Sequence, residues 1–145
     1  MKCSIDHHLK TLLQITFICL ASSGFARNLE LPARDTNSLD GYTFARQISE
    51  LSLAEREAVF ANEIFEGNVP PFLRTFCPVT VTNISDSQTN VATFFTAPDY
   101  LALGSDENYF LAPLSPNTAQ TIADRLGCVL PTRKMVDTIY AAAEV

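Results

Sequence analysis

The sequence predicts an α+β protein, with a small antiparallel sheet of about four strands and helices packed on one face. Strand-type alternation occupies the middle of the chain, over residues 78–112, and helical periodicity brackets it on both sides. Strands that follow one another without intervening helices favour antiparallel pairing over a parallel βαβ sheet. The 145 residues are 47% hydrophobic and 18% charged, which is the composition of one globular domain.

Residues 1–26 have the pattern of a cleavable signal peptide that precedes this domain. Lys2 and Lys10 supply a basic start, Leu12–Ala21 is an apolar run, and small residues stand near Ala26. The apolar run is too short for a spanning helix, which needs about 20 residues. A buried N-terminal helix is the alternative. We expect a secreted or periplasmic protein that keeps no stable membrane span after the signal is removed.

Removal of the leader changes the charge and the available chemistry. The remaining chain has 8 basic and 15 acidic residues, a net charge of −7, so we expect no nucleic-acid partner. Both histidines, His7 and His8, are removed with the leader. The mature chain therefore lacks the side chain needed for Ser-His or Cys-His catalysis and for His-ligated zinc. We find no Gly-rich phosphate loop and expect no cofactor.

Residues 27–38 lack periodicity and predict a flexible N-terminus, so the single α+β domain is expected over residues 39–145. A first short helix is predicted over 43–51, capped by Asp40 or Thr43.

The second helix begins with a capping box, in which Ser52 and Glu55 stand three residues apart. Gly67 ends it. The spacing predicts an apolar stripe with Phe60 and Ile64 alongside, formed by Ala54, Ala58, Ala61 and Phe65. Four charged residues are expected to face water: Glu55, Arg56, Glu57 and Glu63.

Four strands are predicted over residues 78–83, 91–97, 100–103 and 109–112, the last two forming a hairpin. Two helices follow them. Ser115 is expected to cap the first and Thr132 the second, whose apolar face contains Met135, Ile139 and Ala142.

Two cysteines, Cys77 and Cys128, remain after leader removal. Two cysteines in an exported chain suggest one disulfide, which closes a loop of about 50 residues and stabilises by roughly 4 kcal/mol in the chain-entropy model. Two separate buried thiols are the alternative.

The candidate binding residues are few. Asp99 and Asp106, with the loop Gly104–Asn108, collect oxygens that hard cations such as Ca²⁺ prefer, but the loop lacks the alternation of a calcium loop, which favours an ordinary hairpin tip. Arg133 and Lys134 are cations in the first turn of a helix, where an anion or a partner is sometimes bound. A Ser–Lys nucleophile pair would require a nearby serine, which no spacing indicates.

Three motifs carry a resemblance: Pro98–Asp106, Ala119–Asp124 and Leu130–Asp137. From about Leu53 to the last residue the chain resembles a family of uncharacterised secreted bacterial proteins. The resemblance implies export from a bacterium. It also implies that relatives continue past residue 145 with a segment that contains histidine, and it assigns no catalytic residue.

Two functions are consistent with these observations. The first is a non-catalytic exported domain, or the N-terminal portion of a larger secreted protein. The second is a fragment of an extracytoplasmic hydrolase whose catalytic residues lie in a missing C-terminal segment. The absence of histidine, metal-ligand and phosphate-loop patterns in the mature sequence favours the first.

We expect the exported protein to begin near Arg27, because the small residues before it match a signal-peptidase site. N-terminal sequencing or intact-mass measurement of the exported protein checks this. Exported protein that retains Met1 would contradict the leader.

Overall fold

The computed structural model describes residues 18–19, 28–85 and 88–143. The predicted signal peptide lies outside the described residues, apart from the backbone of Ile18–Cys19. The elements in chain order are β1 (Ile18–Cys19), α1 (Gly41–Gln47), α2 (Leu53–Phe65), a 3₁₀ turn (Pro71–Arg74), β2 (Cys77–Ser85), β3 (Gln88–Thr96), β4 (Ala102–Gly104), β5 (Tyr109–Leu111), α3 (Pro116–Arg125) and α4 (Arg133–Ala142).

The α+β class and the antiparallel pairing are confirmed, but the expected single sheet of four strands is wrong. The described strands form two sheets, one with the order β1-β3-β2 and a separate β4–β5 hairpin. Helices α1 and α2 contact the β4–β5 hairpin, whereas α4 contacts β2, so the helices do not cover one face of a common sheet. The polar alternation of the strands indicates half-buried surfaces but carries no information on which hairpins share an edge.

The predicted helix caps are confirmed, although α1 covers Gly41–Gln47 rather than residues 43–51. The Asp40 carboxylate accepts a hydrogen bond from the Thr43 amide at 2.7 Å, and Ser52 and Glu55 form the reciprocal capping box. The Ser115 and Thr132 hydroxyls accept from amides three residues later. These caps are short-range patterns, which explains why the sequence predicts them well.

The buried face of α2 differs from the predicted alanine stripe. Phe60 and Ile64 are the buried residues of the helix, whereas Ala54 and Ala58 are exposed. Phe60 makes an edge contact with Phe44 at 5.0 Å between ring centroids and stacks on Phe110 at 5.9 Å. The larger apolar area of the aromatic and branched side chains turns that side of the helix inward, because the free energy of burial grows with area.

The two C-terminal helices are buried to different degrees. Helix α3 places Ala119, Ile122 and Ala123 in the core with no exposed surface. Helix α4 has no fully buried residue, although Met135 and Ile139 of its predicted apolar face are half-buried. Within the described part of the chain, no helix is long and apolar enough to span a bilayer.

Residues 28–38, predicted to be a flexible N-terminus, are bound to the domain instead. The Leu29 side chain is buried, and its amide donates to the Arg74 carbonyl at 2.7 Å. Asn28 forms a bridge with Thr75, and Arg34 donates to the Asn68 side chain. Tertiary hydrogen bonds hold this segment, and the sequence has no periodic pattern that predicts them.

The predicted Cys77–Cys128 disulfide is not formed. Cys128 is a buried thiol in the main apolar cluster, and its Sγ donates to the Leu126 carbonyl at 3.5 Å. Cys77 is buried at the start of β2, outside that cluster. The turn after α3 folds Cys128 back against that helix, so that the Cys128 amide also donates to the Ala123 carbonyl. Such a site suits a small apolar residue.

Two glycines allow α1 to approach the β4–β5 hairpin closely. A β-carbon on Gly41 would lie 2.3 Å from the Tyr109 carbonyl carbon, and one on Gly104 would lie 2.7 Å from the Gly41 nitrogen. Gly104 also has a φ of +120°, which other residues rarely adopt. The Gly41 amide donates to the Asn108 carbonyl at 2.9 Å. The start of α1 is therefore fixed against the backbone of the hairpin.

We expect Gly41→Ala to lower the free energy of unfolding by about 1–3 kcal/mol, because the new methyl group overlaps backbone atoms that are held in β5. Urea denaturation followed by circular dichroism measures the change. Gln47→Ala, an exposed position in the last turn of α1, is the control and should stay within about 0.5 kcal/mol of the wild type. Equal stabilities of the two variants would contradict the close approach.

Candidate functional site

The four binding candidates from the sequence do not converge on one element. Asp106 is exposed in the β4–β5 loop, and its Oδ1 accepts from the Phe72 amide at 3.1 Å. The half-buried Asp99 accepts from the amide of Tyr100 at 2.7 Å. Arg133 and Lys134 are exposed as the first two residues of α4. The structure therefore places Asp99 before β4, Asp106 after it and the adjacent Arg133 and Lys134 on α4.

The loop between β4 and β5 binds the start of α1 through hydrogen bonds. Its Asn108 carbonyl accepts from the amides of Gly41 and Ser105, and the Asn108 side-chain oxygen accepts from the Tyr42 amide at 3.1 Å. Across the described ranges, no group of three or more His, Cys, Asp or Glu residues is placed to hold a metal ion. Side-chain oxygens of Asp106 and Asn108, which the sequence suggests as cation ligands, instead accept hydrogen bonds from the 3₁₀ turn and from α1.

The expectation that Glu57 faces water is wrong. This half-buried carboxylate accepts from the Ser115 amide at 2.5 Å, from the Ser115 hydroxyl at 3.1 Å and from the Thr118 hydroxyl at 2.6 Å. Burial acts to raise the pKa of Glu57, but these hydrogen bonds outweigh it, and the pKa lies below its usual value. Glu57 thus joins α2 to the first turn of α3, where a negative charge is favourable.

Asn68 is a buried polar centre that the sequence pattern does not predict. Its side chain is 1% exposed, accepts from Arg34 Nε at 2.9 Å, and donates to the Leu39 carbonyl at 3.1 Å and to Glu63 Oε2 at 2.7 Å. Its backbone carbonyl accepts from the Gly104 amide at 3.2 Å. Glu63, expected in water, is half-buried in this cluster. Asn68 directly follows Gly67, and nothing in its sequence context signals a buried amide.

Arg74 is the third polar group held within the domain. Its guanidinium donates to the carbonyls of Gly67 at 2.6 Å, Leu31 at 3.3 Å and Val69 at 3.3 Å, and burial lowers its pKa. These bonds close the end of α2 over the N-terminal segment. In the described residues, every buried side-chain nitrogen or oxygen has a hydrogen-bond partner. Such satisfied clusters are typical of structural polar groups.

The β2–β3 hairpin is the part of the described structure that the core does not cover. Its two strands of nine residues pair from Cys77 with Thr96 to Ser85 with Gln88. The base is buried, with Thr96 fully enclosed, but residues 82–85 and 88–93 are exposed on both faces. At about 3.3 Å per residue, this exposed outer part projects about 13–20 Å from the core. We call the exposed part, residues 82–85 and 88–93, the arm.

The arm carries two of the most exposed apolar side chains of the described structure. Ile84 is 73% exposed and Val91 is 64% exposed. Ile84 pairs with Thr89 and Val91 pairs with Thr82, so the two apolar residues are diagonal neighbours on one face of the hairpin. Exposed apolar side chains on a projecting strand pair make this hairpin the candidate surface of the described residues.

The sequence of the arm carries a compositional signal. From Cys77 to Ala97 the chain has one charged residue, Asp86, whereas 18% of the whole chain is charged. A strand pair of alternating threonines and asparagines with so little charge lacks the charged residues that usually protect exposed strands.

Comparison with protein-family models, with curated proteins and with solved structures finds no match to this chain. The candidate surface is therefore supported by its geometry alone.

We expect Glu57→Gln to lower the free energy of unfolding at neutral pH by about 1–2 kcal/mol, because a charge-assisted hydrogen bond to the start of α3 is weakened. The pKa of Glu57 is depressed in the folded protein, so its stabilising contribution is present above the ordinary glutamate pKa of about 4.3 and is lost as the pH falls through the folded pKa. Thermal unfolding of both proteins over a pH series measures this difference.

The variant and the wild type should therefore converge in stability at acid pH. Glu50→Gln, at an exposed position outside the helices, is the control and should follow the wild type. A constant difference between Glu57→Gln and the wild type at every pH would contradict the assigned role of the carboxylate.

Proposed function

We propose that this chain is an exported, non-catalytic interaction domain that binds a protein partner through the arm. The observation that carries the proposal is a hairpin whose outer residues are exposed on both faces and present Ile84 and Val91 side by side. Exposed strand pairs that carry apolar side chains bind proteins by side-chain packing and by strand addition.

The polar chemistry of the described residues supports binding over catalysis. Glu57, Asn68 and Arg74 are half-buried or buried, the side chain of each makes three hydrogen bonds, and each joins segments that are distant in the sequence. A catalytic acid or base instead needs a free side chain aimed at a site that a substrate can enter. The net charge of −7 that remains after leader removal further disfavours a nucleic-acid partner.

The proposed export rests on the sequence. The basic start, short apolar run and small residues of positions 1–26 match a signal peptide. The resemblance of Pro98–Asp106 and Leu130–Asp137 to secreted bacterial proteins supports the same location. A partner is accordingly expected outside the cytoplasm, in the periplasm or beyond the cell.

Site-specific photocrosslinking tests the proposal. With p-benzoylphenylalanine at position 84 in cells that export the protein, we expect a discrete covalent adduct, because the arm contacts its partner directly. The same group at position 53 is the control, since Leu53 is 62% exposed at the start of α2, away from the hairpin.

An adduct of equal yield at both positions, or none at position 84, would contradict binding through the arm. Hydrolysis of peptidoglycan, polysaccharide or ester substrates by the purified chain would contradict a non-catalytic role.

A further inference from the structure

Strand β3 is the central strand of the three-stranded sheet, and one of its two neighbours comes from the predicted leader. In the order β1-β3-β2, strand β1 pairs antiparallel with the base of β3, with Ile18 opposite Thr96 and Cys19 opposite Phe95. Ile18 and Cys19 lie within residues 1–26, the predicted signal peptide. Export that removes the leader therefore leaves β3 as an edge strand of the described sheet.

A proline in β2 shows which backbone groups of β3 this edge presents. Pro78 lies directly opposite Phe95 and has no amide hydrogen, so its nitrogen occupies a position that points away from β3. Opposite residues of an antiparallel pair share this orientation, which alternates along the strand. The amide and carbonyl of Phe95 therefore point toward the β1 side, and those of Thr93, Val91 and Thr89 point the same way.

The β3 edge lacks the usual features that prevent strand addition. Natural edge strands are protected by charged residues, prolines or bulges. Strand β3 (Gln88–Thr96) contains no charged residue and no proline, and its pairing with β2 is continuous. The other side of the hairpin differs, because β2 contains Pro78 and contacts α4. The β3 side is therefore the edge of the hairpin that suits an added strand.

The structure also indicates the chemistry of a strand that fits this edge. The segment seated there, Ile18–Cys19, belongs to the apolar run of residues 12–21, which contains no charged residue. An uncharged segment suits the site, because a charged side chain loses water at the half-buried base of β3. A strand in the place of β1 that continues in the same direction runs from Phe95 toward Gln88, alongside the arm.

We propose that, once the leader is removed, an uncharged extended segment of the partner protein takes the place of β1 and pairs antiparallel with β3. Its backbone bonds to the outward groups of β3, and its side chains pack beside the arm, the usual division of roles in strand addition. This inference rests on the proposed function and states where the partner binds and what kind of segment it supplies.

Hydrogen exchange measured by NMR tests whether leader removal opens the edge. We expect the Phe95 amide to exchange at least about tenfold faster in the exported protein than in the full chain isolated before processing, because β1 no longer pairs with it. A synthetic peptide of residues 14–21, with Cys19→Ser to prevent disulfide formation, should slow this exchange again. The Thr82 amide, on the other strand of the hairpin, is the internal control and should not respond to the peptide.

Two matched proline variants test the edge in the complex. Thr80 and Thr93 are both exposed, lie opposite each other and share a hydrogen bond of 3.0 Å between their hydroxyls. Thr93→Pro and Thr80→Pro each lose that bond, and each places proline where the amide points out of the hairpin. The two variants therefore differ in which edge loses a donor.

We expect Thr93→Pro to lower the yield of the crosslinked adduct at position 84 about tenfold, because the added strand loses a hydrogen bond and meets the proline ring. Thr80→Pro should leave the yield unchanged. Circular dichroism checks that both variants fold. Thr93→Lys and Thr80→Lys, which keep every backbone amide, should give the same order of yields and replace any proline variant that does not fold.

Equal adduct yields in the Thr93 and Thr80 variants would overturn strand addition at β3. The same holds for a Phe95 amide that exchanges equally fast before and after processing, or that does not respond to the peptide. An adduct at position 84 that persists in these cases leaves the arm as a binding surface that acts through its side chains alone. Absence of the adduct from the protein without the Thr93 or Thr80 changes removes the proposed function and this inference together.

Discussion

The fold depends on one buried amide, the side chain of Asn68. Its oxygen and nitrogen bind Arg34, the Leu39 carbonyl and Glu63, and its backbone carbonyl accepts from Gly104. These bonds join the N-terminal segment, the entry to α1, the end of α2 and strand β4 at a single point. A buried amide left without partners costs about 1–3 kcal/mol, so the four segments are coupled: displacement of one leaves polar groups of the others unsatisfied.

The position of this centre explains how the core is organised. Phe44, Phe60 and Phe110 are in contact within the core, and Gly41 approaches the backbone of the β4–β5 hairpin, to which Asn68 is also bonded through Gly104. Glu57 binds the start of α3 in the same way, and Arg74 binds the N-terminal segment. Polar side chains that look solvent-facing in the sequence are thus hydrogen-bond partners that fix tertiary geometry, while the arm remains outside this network.

Sequence reasoning succeeds here where the physical signal is local. The cap at Ser52 and the strands of the hairpins depend on residues a few positions apart. The cap appears as expected and the four strands lie near their predicted positions, although β2 and β3 continue through residues 84–85 and 88–90, where no strand is predicted. It fails where the deciding partner is distant. Glu57 is 58 residues from Ser115, and Asn68 is 34 residues from Arg34. No pattern around either residue reveals the contact, and for the same reason spacing alone misassigned the bond between Cys77 and Cys128 and the face of α2.

The arm raises a different physical problem, because a two-stranded hairpin is at best marginally stable without a third strand or a packed face. In this protein the base of the hairpin is stabilised by Val79 and Thr96 in the interior and by a 3.0 Å hydrogen bond between the Thr80 and Thr93 hydroxyls. Beyond that point the two strands stay paired to Ser85 and Gln88 while their side chains remain exposed. This uncharged, exposed part of the hairpin is the surface through which we propose that the protein binds its partner, because edge and projecting strands that meet only water usually carry charged residues.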